Sequence, residues 1–148
     1  MSFSRKGANV ERKLSRMFYK RGYATIRAPA SGAKTRKVIY PDLIAIKKGV
    51  VLAIEVKYRS KGQTIYISGW QVRRLLEFAR RAGAIPLIAI KYSEEPSFAF
   101  VNANYLKRTK KGNYKVDKEV LAYAMTFEEL NRMVEEKINQ SLIHSNIW

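Results

Sequence analysis

The chain has 148 residues, 47% of them hydrophobic, and sets 29 Lys and Arg against 12 Asp and Glu, a formal charge of +17. That length and apolar content predict one folded domain with a substantial core, and with no run of about 18 uncharged apolar residues no membrane span is expected. The absence of cysteine excludes disulfides, thiolate zinc sites and thiol nucleophiles, and a single histidine, His144, excludes paired-histidine ribonuclease chemistry.

Taken in chain order, Val10, Leu14, Met17 and Phe18 recur at helical spacing and predict a helix over about Ser4 to Lys20, closed by Gly22. Glu11 falls at the edge of that apolar stripe, aimed toward whatever the helix packs on, while Arg12, Lys13 and Arg16 face away. Tyr23 to Ala28 reads as a strand ended by Pro29. Ala30 to Tyr40, with Ser31, Gly32, Lys34, Thr35, Arg36 and Lys37, reads as a basic loop. Asp42 to Lys47 and Val50 to Tyr58 predict a hairpin closed at Lys47-Lys48-Gly49.

A polar loop through Lys61, Gly62 and Gln63 leads to a short strand, Thr64 to Ile67. Trp70 to Arg81 predicts a helix with Val72, Leu75, Leu76 and Ala79 as its buried stripe. Ile85 to Tyr92 and Ser97 to Val101 are expected strands, Pro86 being tolerable near a strand start or at an edge. Asn102 to Tyr123 is polar and has no clear periodicity beyond a turn at Lys110 to Asn113. Thr126-Phe127-Glu128-Glu129 is a capping box opening a last helix to about Asn139, with His144 in a frayed tail. The order predicts an α/β fold, a mixed β-sheet flanked by helices. A single domain, 1–148, is expected, its core over about 4–125 and a C-terminal helix and tail over 126–148.

Chemistry concentrates at Pro41-Asp42 and at Glu55-Val56-Lys57. Residues i and i+2 of a strand share a face, roughly 7 Å apart by strand rise. Glu55 and Lys57 therefore emerge together with Val51 and Ala53, while Leu52, Ile54 and Val56 point the other way. Glu55 interrupts an apolar run, where a charge is costly unless paired or metal-bound. Two carboxylates and an ammonium at a sheet rim are the parts that hold Mg²⁺ and hydrolyse a phosphodiester.

Each residue also has a plainer reading. Asp42 suits a turn after Pro41, Glu55 with Lys57 an exposed ion pair, and Glu11 a surface carboxylate near a helix N-terminus. Arg12 and Arg27 are either solvated or clamp phosphates. The basic residues are spread along the chain, which suits a long polyanion better than a lipid patch. The alternative is simply a very soluble basic surface.

Together these residues resemble the archaeal Holliday-junction resolvase family, small dimeric members of the PD-(D/E)XK nuclease superfamily. The specific pieces are Arg5-Lys6-Gly7 leading to Glu11-Arg12, Val38 to Ala45, Ile54 to Lys57, Leu76 to Arg81, and the loop Arg27 to Gly32. The resemblance implies a restriction-endonuclease-like core. It implies catalytic roles for Glu11, Ser31, Asp42, Glu55 and Lys57, with Mg²⁺ (Mn²⁺ substituting) at Glu11, Asp42 and Glu55 and no other cofactor. DNA contacts are expected at Arg5, Lys6, Arg12, Arg27, Ser31, Lys34, Arg36, Lys37, Arg59, Lys61 and Gln71.

The implied function is a structure-selective endodeoxyribonuclease. It nicks four-way DNA junctions in pairs as a homodimer, acting in recombination and repair in a cytoplasmic, nucleoid-associated setting. Exposed parts of the Trp70 helix and the Thr64 to Ile67 strand are candidates for the dimer face. Two other functions stay open: a non-catalytic basic architectural DNA-binding protein, and a restriction- or repair-type nuclease on linear duplex. Gln140, Ile143, Ile147 and Trp148 loosely resemble a sliding-clamp-binding peptide, the alternative being a frayed helix end.

Overall fold

In the computed structural model, which describes residues 3–29, 40–60 and 62–145, amphipathic segments fold against both faces of one twisted sheet. Its five strands run in the order β1 (Ala24–Arg27), β2 (Leu43–Lys47), β3 (Val50–Arg59), β5 (Ile85–Tyr92), β6 (Phe98–Asn102). β1, β2 and β3 pair antiparallel. β3 and β5 pair in parallel, joined through α2 (Gly69–Ala82), and β6 returns antiparallel to β5. The β2–β3 turn places Lys48 at φ 45° and Gly49 at φ 86°, the left-handed pair that matches hairpin twist.

One sheet face is covered by α1 (Phe3–Lys20) and α4 (Phe127–Ser145). Leu14 and Phe18 from α1, and Leu130, Val134 and Ile138 from α4, pack on Leu43, Ala45, Leu52, Ile54, Leu87 and Ala89. Phe18 is the hub: its ring lies 5.0 Å from Tyr23, 5.1 Å from Phe127 and 6.1 Å from Phe100, all edge-on. Each side chain buried this fully contributes about 1.5–3 kcal/mol. α4 thus shares the core of α1. Thr126 and Glu129 exchange side chain-to-backbone bonds of 3.1 Å each, the expected capping box. The helix continues past Asn139, so His144 lies in its last turn, not in a frayed tail.

The opposite face packs on α2, whose Val72 and Leu75 meet Ala53, Ile88 and Ile90, with Ala79 also buried. β4 (Ile65–Ile67) does not join the main sheet. It pairs with β8 (Tyr114–Val116), which pairs with β7 (Lys107–Arg108), forming a second sheet of three short strands. A 3₁₀ turn (Ala103–Tyr105) and α3 (Lys118–Leu121) complete the segment that showed no periodicity. Pro86 sits in a central strand, yet at its start. It lies opposite Ala53, one residue before the β5–β6 ladder begins at Leu87, so its missing N–H takes no ladder bond on that side.

This small sheet braces the start of α2. Ser68 caps the helix by accepting from the Gln71 N–H at 3.1 Å, and Gly69 donates to Asn113 Oδ1 at 3.2 Å. A Cβ at Gly69 would fall inside 3.0 Å of the Gly112 carbonyl oxygen, so the β7–β8 turn approaches as closely as it does because residue 69 has no side chain. Among the described residues no helix is long and apolar enough to cross a membrane.

Candidate active site

The β2–β3 ladder decides what meets at the sheet rim. Leu43 pairs with Ile54 and Ile44 with Ala53; Asp42 and Glu55 each lie one residue beyond the last pair of that ladder, at its rim end. Asp42 is held there by both ends of its structure. Its Oδ2 accepts from the Val56 N–H at 2.9 Å, and its carbonyl accepts from the Ala28 N–H at 2.9 Å, tying it to β3 and to the end of β1. Asp42 and Glu55 are only 8% and 9% exposed, so two carboxylates lie nearly dry at the rim of the sheet. That arrangement costs free energy unless cations offset it.

Glu55 alternates in phase with Ala53 on the α2 side, and Lys57 follows on the same face. The Lys57 ammonium donates to Gln71 Oε1 at 3.1 Å, so the first turn of α2 fixes the head of this lysine. The expected grouping of Asp42, Glu55, Lys57 and Gln71 at one rim is therefore what the strands and α2 produce. α1 covers the other face of the sheet, and the Glu11 carboxylate lies 3.7 Å from the Arg27 guanidinium, each about three-quarters buried. Among the described residues no group of three His, Cys, Asp or Glu side chains stands close enough to share a metal ion.

Arg27 links α1 to the rim from the other side. It donates to the Ala8 carbonyl at 3.3 Å and pairs in register with Leu43, the neighbour of Asp42. Its Nε is buried with no partner among the described residues. Arg59, at the end of β3, is half-buried and donates to the Tyr58 carbonyl at 2.8 Å. Arg5, Lys6 and Arg12 are exposed on α1, Arg12 also donating to Asn9 at 2.9 Å. Ser31, Lys34, Arg36, Lys37 and Lys61, together with Ile147 and Trp148 of the tail, lie outside the described residues.

Sequence reading missed the part played by Gly69 and the β7–β8 turn, which hold the helix turn carrying Gln71. The signal available was a Ser-Gly pair before an amphipathic helix; its partner turn at Gly112 is too distant in sequence to be paired with it by pattern.

A mixed sheet with an α1–β1–β2–β3 start, a Pro-Asp at one strand and Glu-x-Lys on the next, defines a restriction-endonuclease-like α/β fold with a nuclease-type rim. The comparisons agree. The crystal structure of Hjc, a Holliday junction resolvase from Archaeoglobus fulgidus, superposes with a TM-score of 0.75 at 32% identity, covering 84% of this chain and 98% of that one. Among curated proteins, the crossover junction endodeoxyribonuclease Hjc of Sulfurisphaera tokodaii is 42% identical over 137 residues, 93% of each chain. The protein of the same name from Sulfolobus acidocaldarius is 41% identical over 142 residues, 96% of this chain and 97% of its own. The family model described as archaeal Holliday junction resolvase (Hjc) matches residues 2–139, and the chain belongs to that family.

Proposed function

We propose that this protein is a Mg²⁺-dependent endodeoxyribonuclease that resolves four-way DNA junctions by paired symmetric nicks, as a homodimer. The observation that supports it best is the nearly buried Asp42–Glu55 pair with Lys57 beside it, in a chain of charge +17 whose relatives are named for this activity. The donor set fits the ion. Mg²⁺ is ordinarily bound by one or two carboxylates, its remaining positions filled by water and substrate phosphate oxygens, so Asp42 and Glu55 suffice without Glu11. Mn²⁺ has the same taste for oxygen and should substitute.

When bound, the cation polarises the scissile phosphate and makes water a better nucleophile. The protein's own residues do the rest. Asp42 and Glu55 define where the phosphate sits. The Lys57 ammonium, oriented by Gln71, faces the charge that develops on phosphorus or steadies the attacking water. Arg27, backed by Glu11, and Arg12 clamp the flanking backbone; roles for Ser31, Lys34, Arg36 and Lys37 there rest on the family resemblance, since they lie outside the described residues.

A four-way junction has two-fold symmetry, so a two-fold dimer sets one such site on each of two opposed strands. Trp70, 52% exposed, and Tyr66, 64% exposed, remain candidates for that dimer face. A clamp-docking role for Gln140, Ile143, Ile147 and Trp148 is a further expectation of the same reading, as is action on nucleoid DNA in the cytoplasm.

The test is nicking of a fixed four-way junction and of a sequence-matched linear duplex, with Mg²⁺ and with EDTA. Junction-selective, Mg²⁺-dependent nicks are expected. Junction binding without any nicking would make this an architectural protein, and equal cutting of the linear duplex would make it a duplex nuclease.

A further inference from the structure

Six cations stand on α1: Arg5, Lys6, Arg12, Lys13, Arg16 and Lys20, all exposed. At 3.6 residues per turn, Arg5, Asn9, Arg12, Arg16 and Lys20 fall within an arc of about 80°, directly opposite Leu14. The only acidic residue of the helix, Glu11, lies off that arc and faces Arg27. α4, on the same side of the sheet, is built differently. Its Glu128, Glu129, Glu135 and Glu136 offset Arg132 and Lys137, and Glu128 and Glu135 bridge to Arg21 and Lys47 at 2.5 and 2.6 Å. Solubility would be served by either pattern; only α1 keeps its outward row of one sign.

The placement also runs against local preference. The first turn of α1 has no acidic residue and carries Arg5 and Lys6 at the positive end of the helix dipole. Cations there are disfavoured, and an external polyanion along the face offsets that cost.

The row has a direction. Ala8 and Glu11 meet Arg27 beside Asp42, so the Arg12 level of the helix stands next to the candidate active site. Further on, Ser15 donates to Thr25 at 3.1 Å, and the helix end meets Lys47, which donates to the Arg21 carbonyl at 2.8 Å, at the far end of β2. By helix rise, Arg16 and Lys20 lie about 6 and 12 Å beyond Arg12, and Arg5 to Lys20 spans about 22 Å. That matches about six base pairs of duplex at 3.4 Å each.

We propose that the outward face of α1 is a phosphate track for one duplex arm of the branched substrate, in which Arg16 and Lys20 grip the arm away from the nicked phosphate. This rests on the reading that branched DNA is the substrate.

The experiment compares wild-type protein with the double variants R16Q/K20Q and R80Q/R81Q, measuring fixed four-way junction affinity in EDTA over a salt series. Both variants lose the same net charge from exposed helix positions, but Arg80 and Arg81 are already hydrogen-bonded to Glu77 on α2. For R16Q/K20Q, the slope of log affinity against log salt should become shallower by about 1.8, and affinity at 0.1 M salt should fall by up to roughly 60-fold, the counterion release of two phosphate contacts. R80Q/R81Q should keep the wild-type slope. A wild-type slope in R16Q/K20Q, or an equal loss in both variants, overturns the track. Failure of the wild-type protein to prefer the junction over linear duplex would instead refute the substrate reading itself.

Discussion

Gln71 separates two roles that sequence alone leaves merged, a DNA contact and a support for the catalytic lysine. The perturbation is Gln71→Ala, which removes the acceptor 3.1 Å from the Lys57 ammonium. A hydrogen bond to a charged group is worth about 1.5–3 kcal/mol. If that bond is what keeps Lys57 aimed at the phosphate, its loss slows chemistry by about 10- to 100-fold, since each 1.36 kcal/mol of barrier is tenfold. Gln71 lies in the first turn of α2, half-buried, and its own N–H remains capped by Ser68, so the helix should persist. The assay is single-turnover nicking of a fixed junction at saturating enzyme, beside junction affinity in EDTA. The saturated rate should fall while affinity stays within about threefold. Gln71→Glu, which keeps an acceptor and adds a charge, should recover much of the rate and move the alkaline limb of its pH profile upward, because the added carboxylate favours protonated Lys57. A normal saturated rate with weakened binding would refute the lysine-positioning argument and leave Gln71 as a DNA contact.

Further outcomes follow from the scaffold. Gly69→Ala sets a methyl group against the Gly112 carbonyl oxygen and 3.0 Å from the Arg73 guanidinium. It should cost about 1–3 kcal/mol and slow nicking together, read by thermal unfolding and the same rate assay; an unchanged melting temperature would contradict it. The Tyr23 phenol is pushed up to about 12, first by burial and then by Glu135, and its hydroxyl has no partner among the described residues. Because the folded pKa is raised, stability is unaffected by this group below pH 10 and falls as pH rises from there through 12, a drop of roughly 1–3 kcal/mol at about 1.4 kcal/mol per pKa unit. Tyr23→Phe should be neutral or stabilising at pH 7 and should lack that alkaline loss in denaturant titrations; a parallel loss in both proteins would refute it. Glu77 is held down to about 2, first by Arg80 and then by Arg81. Its contribution is present above the ordinary carboxylate range and lost as pH falls through about 2. The group is exposed, so added salt should weaken that acid dependence, and Glu77→Gln should remove it.

Much of the molecule was legible because its signals are local. The spacing of Leu14 and Phe18, the Lys48-Gly49 turn and the Thr126–Glu129 box each specify structure within a few residues, and each stands as read. The rim carboxylates were legible for the same reason: a two-residue hairpin turn brings Asp42 and Glu55 to the same end of the ladder, and strand alternation sets Lys57 on the Glu55 face. What failed was long-range. The segment 102–123 folds into pieces of two to four residues, too short for any period to register, and β4 pairs with a strand almost fifty residues away. Glu11 stands at the edge of its stripe as its spacing implies, but no helical pattern names its partner across the fold. That partner is Arg27, on β1, 3.7 Å away.

The central claim is that Asp42 and Glu55 form a cation-holding pair used for phosphodiester hydrolysis. Its most direct measurement is Mg²⁺-titrated nicking of a fixed four-way junction by wild-type, Asp42→Asn and Glu55→Gln proteins, with junction affinity followed in EDTA. Both variants should bind the junction at least as well as wild type, having lost a negative charge at the rim, and should nick at least a thousandfold more slowly at every Mg²⁺ concentration. Nicking by either variant at the wild-type rate would contradict the claim.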